Sequence, residues 1–187
     1  MSLNLKIIIG STRPGRVCPK IAAWVAESAI AHGQFNVEIV DLAEVNLPFL
    51  DEATHPRLQT YAFEHTKNWS AIVGSADAFI FVTPEYDFFT PAVTINAIQV
   101  LMNEWAYKCA GVVSYGGVSA GLRSAQTLRT LLSNVNVHAI PQVVPVPMFP
   151  QFMQDGVFTP NQPMIDGMTL QLNELAKWAA ALKPMRA

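Results

Sequence analysis

Apolar residues along this chain fall into short blocks of two alternating kinds. Leu5–Ile9 is almost wholly apolar and rich in β-branched residues, and Gly10 stops it, the pattern of a strand buried on both faces. A polar loop follows, after which Ile21, Trp24, Val25 and Ala29 recur at helical spacing behind Pro19, with Gly33 as the stop. Phe35–Val40 alternates as a second strand and completes a β-α-β unit. The stretch Asp41–Pro56 is of mixed polarity and contains Pro48, so it reads as an irregular crossover before a helix from about Arg57 to Ser75. Asp77–Val82 predicts a third strand; a loop bounded by Pro84 and Pro91 comes next, and Val93, Ala97, Leu101 and Trp105 mark a helix. Cys109–Ser114 predicts a fourth strand, Tyr115-Gly116-Gly117 a turn, and Leu122, Ala125, Leu128 and Leu132 another helix. His138–Val146 carries Pro141 and Pro145, which suits an edge or bulged strand. A helix from about Met164 to Leu182 comes last, after a proline-rich piece, Pro141–Pro163, that reads as a surface excursion.

Five strands alternating with about five helices predict an α/β fold, an open parallel sheet wound with helices on both faces. No repeat or linker divides the sequence, so one domain over residues 1–187 is expected. Apolar residues make up 51% and charged residues 14%, which excludes a disordered chain. The 12 Lys+Arg against 14 Asp+Glu form no like-charge block, so the field a nucleic-acid binder needs is missing. Two cysteines and four histidines show neither a disulfide framework nor metal-ligand spacing. No basic leader with a hydrophobic run and no stretch of membrane-spanning length are visible, so a cytoplasmic protein without membrane contact is expected. The Asn68-Trp69-Ser70 sequon is then a chance match.

Ligands of open α/β sheets bind beyond the carboxyl ends of the strands. Three loops of this sequence belong to that edge. Gly10–Cys18 brings the hydroxyls of Ser11 and Thr12, the guanidinium groups of Arg13 and Arg16 and the free amides of a helix start, a set that suits a phosphate. Gly10 and Gly15 have the spacing of a nucleotide-triphosphate loop, but Arg16 and Val17 stand where that motif needs Lys and Ser or Thr. A dinucleotide G-x-G-x-x-G fingerprint is absent as well. Thr83–Pro91 offers Tyr86, Phe88 and Phe89 to frame a flat ring, with loop-to-helix packing as the alternative use of at least one phenylalanine. Glu85 and Asp87 have the look of an acid–base pair, and equally of groups that fix a turn or cap a helix. Ser114–Gly121 has glycines that let a ring edge approach the backbone, or that simply make a tight turn. Cys18, near a helix start and two arginines, has the surroundings of a reactive thiol, but a small packed residue is the expectation.

In chain order, Gly10-Ser11-Thr12-Arg13 matches a G-S-x-R loop, Pro84-Glu85-Tyr86-Asp87 a P-E-Y-N segment with Asp for Asn, and Tyr115-Gly116-Gly117 a Y-G-G turn. Through these motifs the chain resembles, over roughly residues 5–135, the NADPH-dependent FMN reductase family, which includes quinone, azo-dye and chromate reductases. The resemblance implies a flavodoxin-like three-layer sandwich with sheet order 2-1-3-4-5, FMN as cofactor and NADPH or NADH as electron donor. It implies that Ser11, Arg13, Arg16, Val17 and Cys18 surround the FMN phosphate, the last two through backbone amides. Pro84, Glu85, Tyr86, Asp87 and Phe88 would border the isoalloxazine ring, and Ser114, Tyr115, Gly116 and Gly117 its opposite rim. The cofactor carries the redox chemistry, so no catalytic side chain and no metal are needed. The acceptor would be a small molecule such as a quinone, azo compound, free flavin or metal oxyanion; an electron carrier or FMN-binding module without its own reductase activity is the alternative. Family habit and the apolar set Phe88, Phe89, Trp105, Met148, Phe149 and Phe152 imply a homodimer or homotetramer. Where the family often has L-K-N-A-I-D, this chain has Thr94-Ile95-Asn96-Ala97-Ile98-Gln99. A carboxylate at Asp87 also disfavours an anionic reduced flavin more than an amide would.

Overall fold

The computed structural model describes residues 2–186. Its main sheet is built from β1 (Leu3–Ile9), β2 (Phe35–Asp41), β3 (Ala78–Pro84), β4 (Lys108–Tyr115) and β5 (Val137–Val146), all parallel, in the order β2-β1-β3-β4-β5. Every residue of β3 and β4 is buried, as their unbroken apolar runs require. On one face lie α1 (Cys18–His32) and α6 (Gln162–Leu182); on the other lie α3 (Glu64–Gly74), α4 (Ala92–Gln99) and α5 (Leu122–Asn134). A short helix α2 (Leu42–Val45) follows β2, capped by the Asp41 carboxylate. This is the flavodoxin-like α/β sandwich, with the expected strand order. Among the described residues no helix is long and apolar enough to cross a membrane.

Three predicted elements change on inspection. The helix expected from Arg57 begins only at Glu64: Pro56–Leu58 forms one 3-10 turn, which Gln59 closes at φ +52°. The amides of Ala62 and Phe63 then donate to the Glu52 side chain, at 2.8 and 3.1 Å, instead of extending a helix. The helix expected to reach Trp105 ends at Gln99, and Trp105 sits in a separate 3-10 turn, Asn103–Trp105. Its indole donates to the Ile98 carbonyl at 3.2 Å and packs on Phe79 and Phe81, so Trp105 is core and leaves the set of candidate partner-facing residues. The excursion after β5 is partly anchored: a 3-10 turn, Phe149–Phe152, leads into a small hairpin of β6 (Met153–Gln154) and β7 (Val157–Phe158). There Phe158 is buried against Trp24 of α1.

Pro141 of β5 lies in a bulge at the sheet edge, whereas Pro145 pairs in register with Ser114. Pairing runs from Ala110 opposite Ala139 to Val112 opposite Val143, so three residues of β5 stand opposite Gly111 alone. The fully buried amide of Gln171 fills the gap, donating to the carbonyls of Val112 at 2.9 Å and Gln142 at 2.6 Å. A side chain at Gly111 would put Cβ 2.7 Å from Cδ of Gln171, so glycine is what lets α6 approach this far.

At the opposite edge of the strands, buried Asp77 accepts from the Asn4 amide, Lys183 Nζ and Arg186 Nη2 at 2.7–2.9 Å. Burial pushes its carboxyl up, but those donors more than offset it, and its pKa lies below the ordinary 3.8. A carboxyl whose pKa falls on folding stabilises the fold fully above its unfolded value, and the contribution is lost as pH drops through the folded one. Asp77→Asn is therefore expected to lower the urea-unfolding free energy by about 2 kcal/mol at neutral pH. The gap between variant and wild type should close as pH falls below about 4.

Candidate functional site

The register of the sheet brings three strand ends together. Ile9 pairs with Val82, Val82 with Val113, Thr83 with Ser114 and Pro84 with Tyr115, so the loops after β1, β3 and β4 leave the sheet side by side. Between them lies a cleft of about 360 Å³. Arg13, Arg16 and Val17 line it from the first loop, Pro84, Glu85 and Tyr86 from the second, Tyr115, Gly116 and Gly117 from the third, and Phe149 closes one side. A neighbouring cavity of about 530 Å³ shares Arg13, Glu85 and Tyr86 with the cleft and adds Thr12, Asp87 and Pro91–Val93. Tyr86 thus stands between two spaces, and its hydroxyl is hydrogen-bonded to that of Ser11 at 2.8 Å.

The first loop has the donors an anion needs. No side chain caps the start of α1; Pro19 has no N–H and the Lys20 and Ile21 amides donate to the Val17 carbonyl, which leaves the amides of Val17 and Cys18 for the loop. Arg13 is exposed, and its amide donates to Ser11 Oγ at 3.4 Å. Arg16 is ion-paired with Asp41 at the end of β2, and its buried Nε has no partner. A buried guanidinium N–H left unpaired is costly unless a ligand or water accepts from it. Asp41 carries no motif signal; only its place at the end of β2 marks it.

Cys18 is packed rather than poised. It is fully buried, and its Sγ donates to the Val82 carbonyl at 3.1 Å. Burial pushes the thiol up to about 12, a shift that the hydrogen bond with Tyr115 and the nearby Arg16 reduce without reversing. Burial, together with Cys18, raises the Tyr115 phenol as well.

The second loop is tied down at both roots. Thr83 Oγ1 lies 3.2 Å from Ser124 Oγ, and Thr90 Oγ1 donates to the Ser124 carbonyl at 2.8 Å and pairs with Thr127 Oγ1 at 2.8 Å. Its tip, Tyr86–Phe89, is a tight turn closed by two reciprocal backbone hydrogen bonds of 3.1 and 2.9 Å. Glu85 turns out to be a cap: its carboxylate accepts from the Arg123 backbone amide at 3.1 Å and from Arg123 Nε at 2.6 Å. Burial pushes that carboxyl up, the Arg123 and Ser119 hydrogen bonds pull it down further, and the net shift is downward. Asp87 reaches only the second cavity, and Phe88 lines neither, its ring lying under the Arg123 guanidinium.

In the third loop Gly121 is held at φ +75°, and a Cβ there would meet both the amide and the carbonyl of Tyr115 at 2.7 Å. Only glycine allows this folding-back, which brings Gly116 and Gly117 to the cleft wall. Ser114 is fully buried beneath, and its hydroxyl has no partner. The sequence motifs do not reveal Arg123 and Phe149 as residues of this region.

An anion-suited first loop, aromatic side chains at Tyr86, Tyr115 and Phe149, and a glycine wall fit a phosphate-bearing flat ring. Fold and cleft together define a flavodoxin-like protein built around a mononucleotide. The model of the NADPH-dependent FMN reductase family matches residues 3–151, and the chain belongs to that family. It is 41% identical over 120 residues to the NAD(P)H-dependent FMN reductase C4B3.06c of Schizosaccharomyces pombe, a match covering 63% of this chain and 60% of that protein. With the NAD(P)H-dependent FMN reductase LOT6 of Saccharomyces cerevisiae it shares 35% identity over 149 residues, 74% of this chain and 78% of that one. Among solved structures, the NAD(P)H:(acceptor) oxidoreductase FerB from Paracoccus denitrificans superposes with a TM-score of 0.73. That likeness, at 20% identity over 96% of this chain and 98% of the other, is one of fold. Family membership makes the chain an FMN-dependent NAD(P)H oxidoreductase.

If Cys18 is a packing residue, Ellman's reagent at pH 8 should leave both cysteines of the native protein unmodified, since Cys109 is equally buried. Both should react in urea. Modification of Cys18 at a free-thiol rate in the native state would contradict the packing described.

Proposed function

We propose that the chain, acting as one domain over residues 1–187, holds FMN in the cleft and passes electrons from NADPH or NADH to a small acceptor such as a quinone, azo compound, free flavin or metal oxyanion. The observation that carries this is the meeting of three loops at one cleft, with Arg13 and Tyr86 shared by the cavity beside it. Bound FMN supplies the two-electron redox chemistry. The first loop grips the phosphate: Ser11 and Arg13 offer a hydroxyl and a guanidinium, Arg16 its unpaired Nε, and Val17 and Cys18 the amides of the α1 start. Pro84–Asp87 forms the ring-side wall, with Tyr86 and Asp87 closest to the second cavity and Phe88 behind it under Arg123, and Tyr115–Gly117 forms the opposite rim over buried Ser114. That second cavity is where nicotinamide and acceptor would take turns, because it opens beside Tyr86. Asp87 contributes a carboxylate there, which weighs against acceptors carrying negative charge.

Exposed Phe88, Phe89 and Met148, with exposed Val118 and Leu122 of the third loop and the start of α5, leave apolar surface on these loops and support a homodimer, or a homotetramer built from dimers. A cytoplasmic location accords with the reading of the sequence.

Purified protein incubated with FMN should quench flavin fluorescence stoichiometrically and oxidise NADPH or NADH when a quinone is supplied. Ser11→Ala and Arg13→Ala should each weaken FMN binding about tenfold, the loss of one charge-assisted or hydroxyl contact. An affinity untouched by the double replacement would overturn the assignment of the first loop.

A further inference from the structure

The turn at the tip of the second loop has the wrong residue for its shape at the second of its two central positions. Asp87 and Phe88 occupy its two central positions with φ of +47° and +73°. A turn with both central residues left-handed is favoured by Asn-Gly, and a bulky aromatic residue opposes it. Something outside the turn must hold it.

Arg123, in the first turn of α5, is placed to do so. Its Nε donates to Glu85 Oε1 at 2.6 Å and its Nη2 lies 2.5 Å from the same oxygen, while its backbone amide donates to Oε2. The residue preceding α5, Gly121, has no side chain to cap the helix, so Glu85 provides the acceptor from the neighbouring loop. The guanidinium carbon also sits 3.6 Å from the centroid of the Phe88 ring. One planar cation therefore grips the residue before the turn through hydrogen bonds and a central residue of the turn by stacking. Lysine could pair with Glu85 but could not also lie flat on the ring.

We infer that Arg123 is a positioning residue: it clamps the left-handed turn so that Tyr86 stays against Ser11 and Asp87 stays in the second cavity, and it acts on the cofactor site only through them. The inference rests on the cleft being the FMN site, but the clamp itself can be read without FMN.

A double-mutant cycle tests it. Arg123→Ala is made in the native turn and in a turn carrying Asp87→Asn and Phe88→Gly, which favours the same shape unaided. In the native turn, Arg123→Ala should abolish hydrogen-exchange protection of the Tyr86 and Phe89 amides in the cofactor-free protein. It should also raise the FMN dissociation constant about tenfold and shift the midpoint potential of the bound flavin. In the Asn-Gly turn the same replacement should leave protection in place and change the dissociation constant no more than about twofold. Arg123→Lys should fall between wild type and Arg123→Ala in the native turn, and serves in its place if the alanine variant does not fold. A residue needed only to support α5 would cost the same in both turns, and that result overturns the clamp. So does unchanged amide protection on Arg123→Ala in the native turn. A wild-type protein that takes up no FMN overturns the cofactor reading instead, and the exchange measurements still decide the clamp.

Discussion

Because β1, β3 and β4 are covered on both faces, polar side chains gather mainly at the strand ends, and the parallel register brings three of those ends to one level. Everything at the cleft depends on this. Ser11 meets Tyr86 across 75 positions of sequence because Ile9 is in register with Val82. The bond joins the first loop to the second, and Glu85 with Arg123 joins the second to the start of α5, where the third loop ends. No one loop is rigid by its own sequence.

Those cross-links work against conformational strain concentrated at the same edge. Asp87, Phe88, Ala120 and Gly121 all have positive φ, and only one of them is glycine. Backbone held in sparsely populated regions persists where its surroundings over-determine it. Here the surroundings are the buried threonine and serine hydroxyls at the roots of the second loop and the Arg123 side chain at its tip. The folded core supplies the stability that lets the loops adopt shapes they would not choose alone.

How much of this could be read from the sequence follows from which interactions are local. Strand positions and the α1 boundaries are legible because apolar runs, Pro19 and Gly33 act within a few residues, whereas the strand order follows only from the family resemblance of the three loop motifs. The helix starts at 64 and ends at 99, not 57 and 105, for reasons that lie elsewhere in the chain: Glu52 takes the amides of Ala62 and Phe63, and Trp105 is drawn into the Phe79–Phe81 core. At the cleft, the three motifs fall on the three loops that meet there, yet they do not reveal that Arg16 is paired with Asp41 or that Glu85 caps a helix from another segment. Residues such as Arg123 and Phe149 join the region through tertiary geometry alone, and no spacing announces them.

The glutamine splice at the β5 bulge bears on how the chain comes off the ribosome. The five strands of the main sheet have been synthesised by Val146, but the face they share with α1 is not sealed until α6, with Met168, Gln171, Leu172 and Leu175, has also emerged. Until then β4 and β5 lack the amide that joins them across their mismatch, and an apolar sheet face stands uncovered. Nascent chains with such faces are prone to aggregate. Helix α6, which lies beyond the matched family segment, therefore sets the moment at which this face of the sheet is covered.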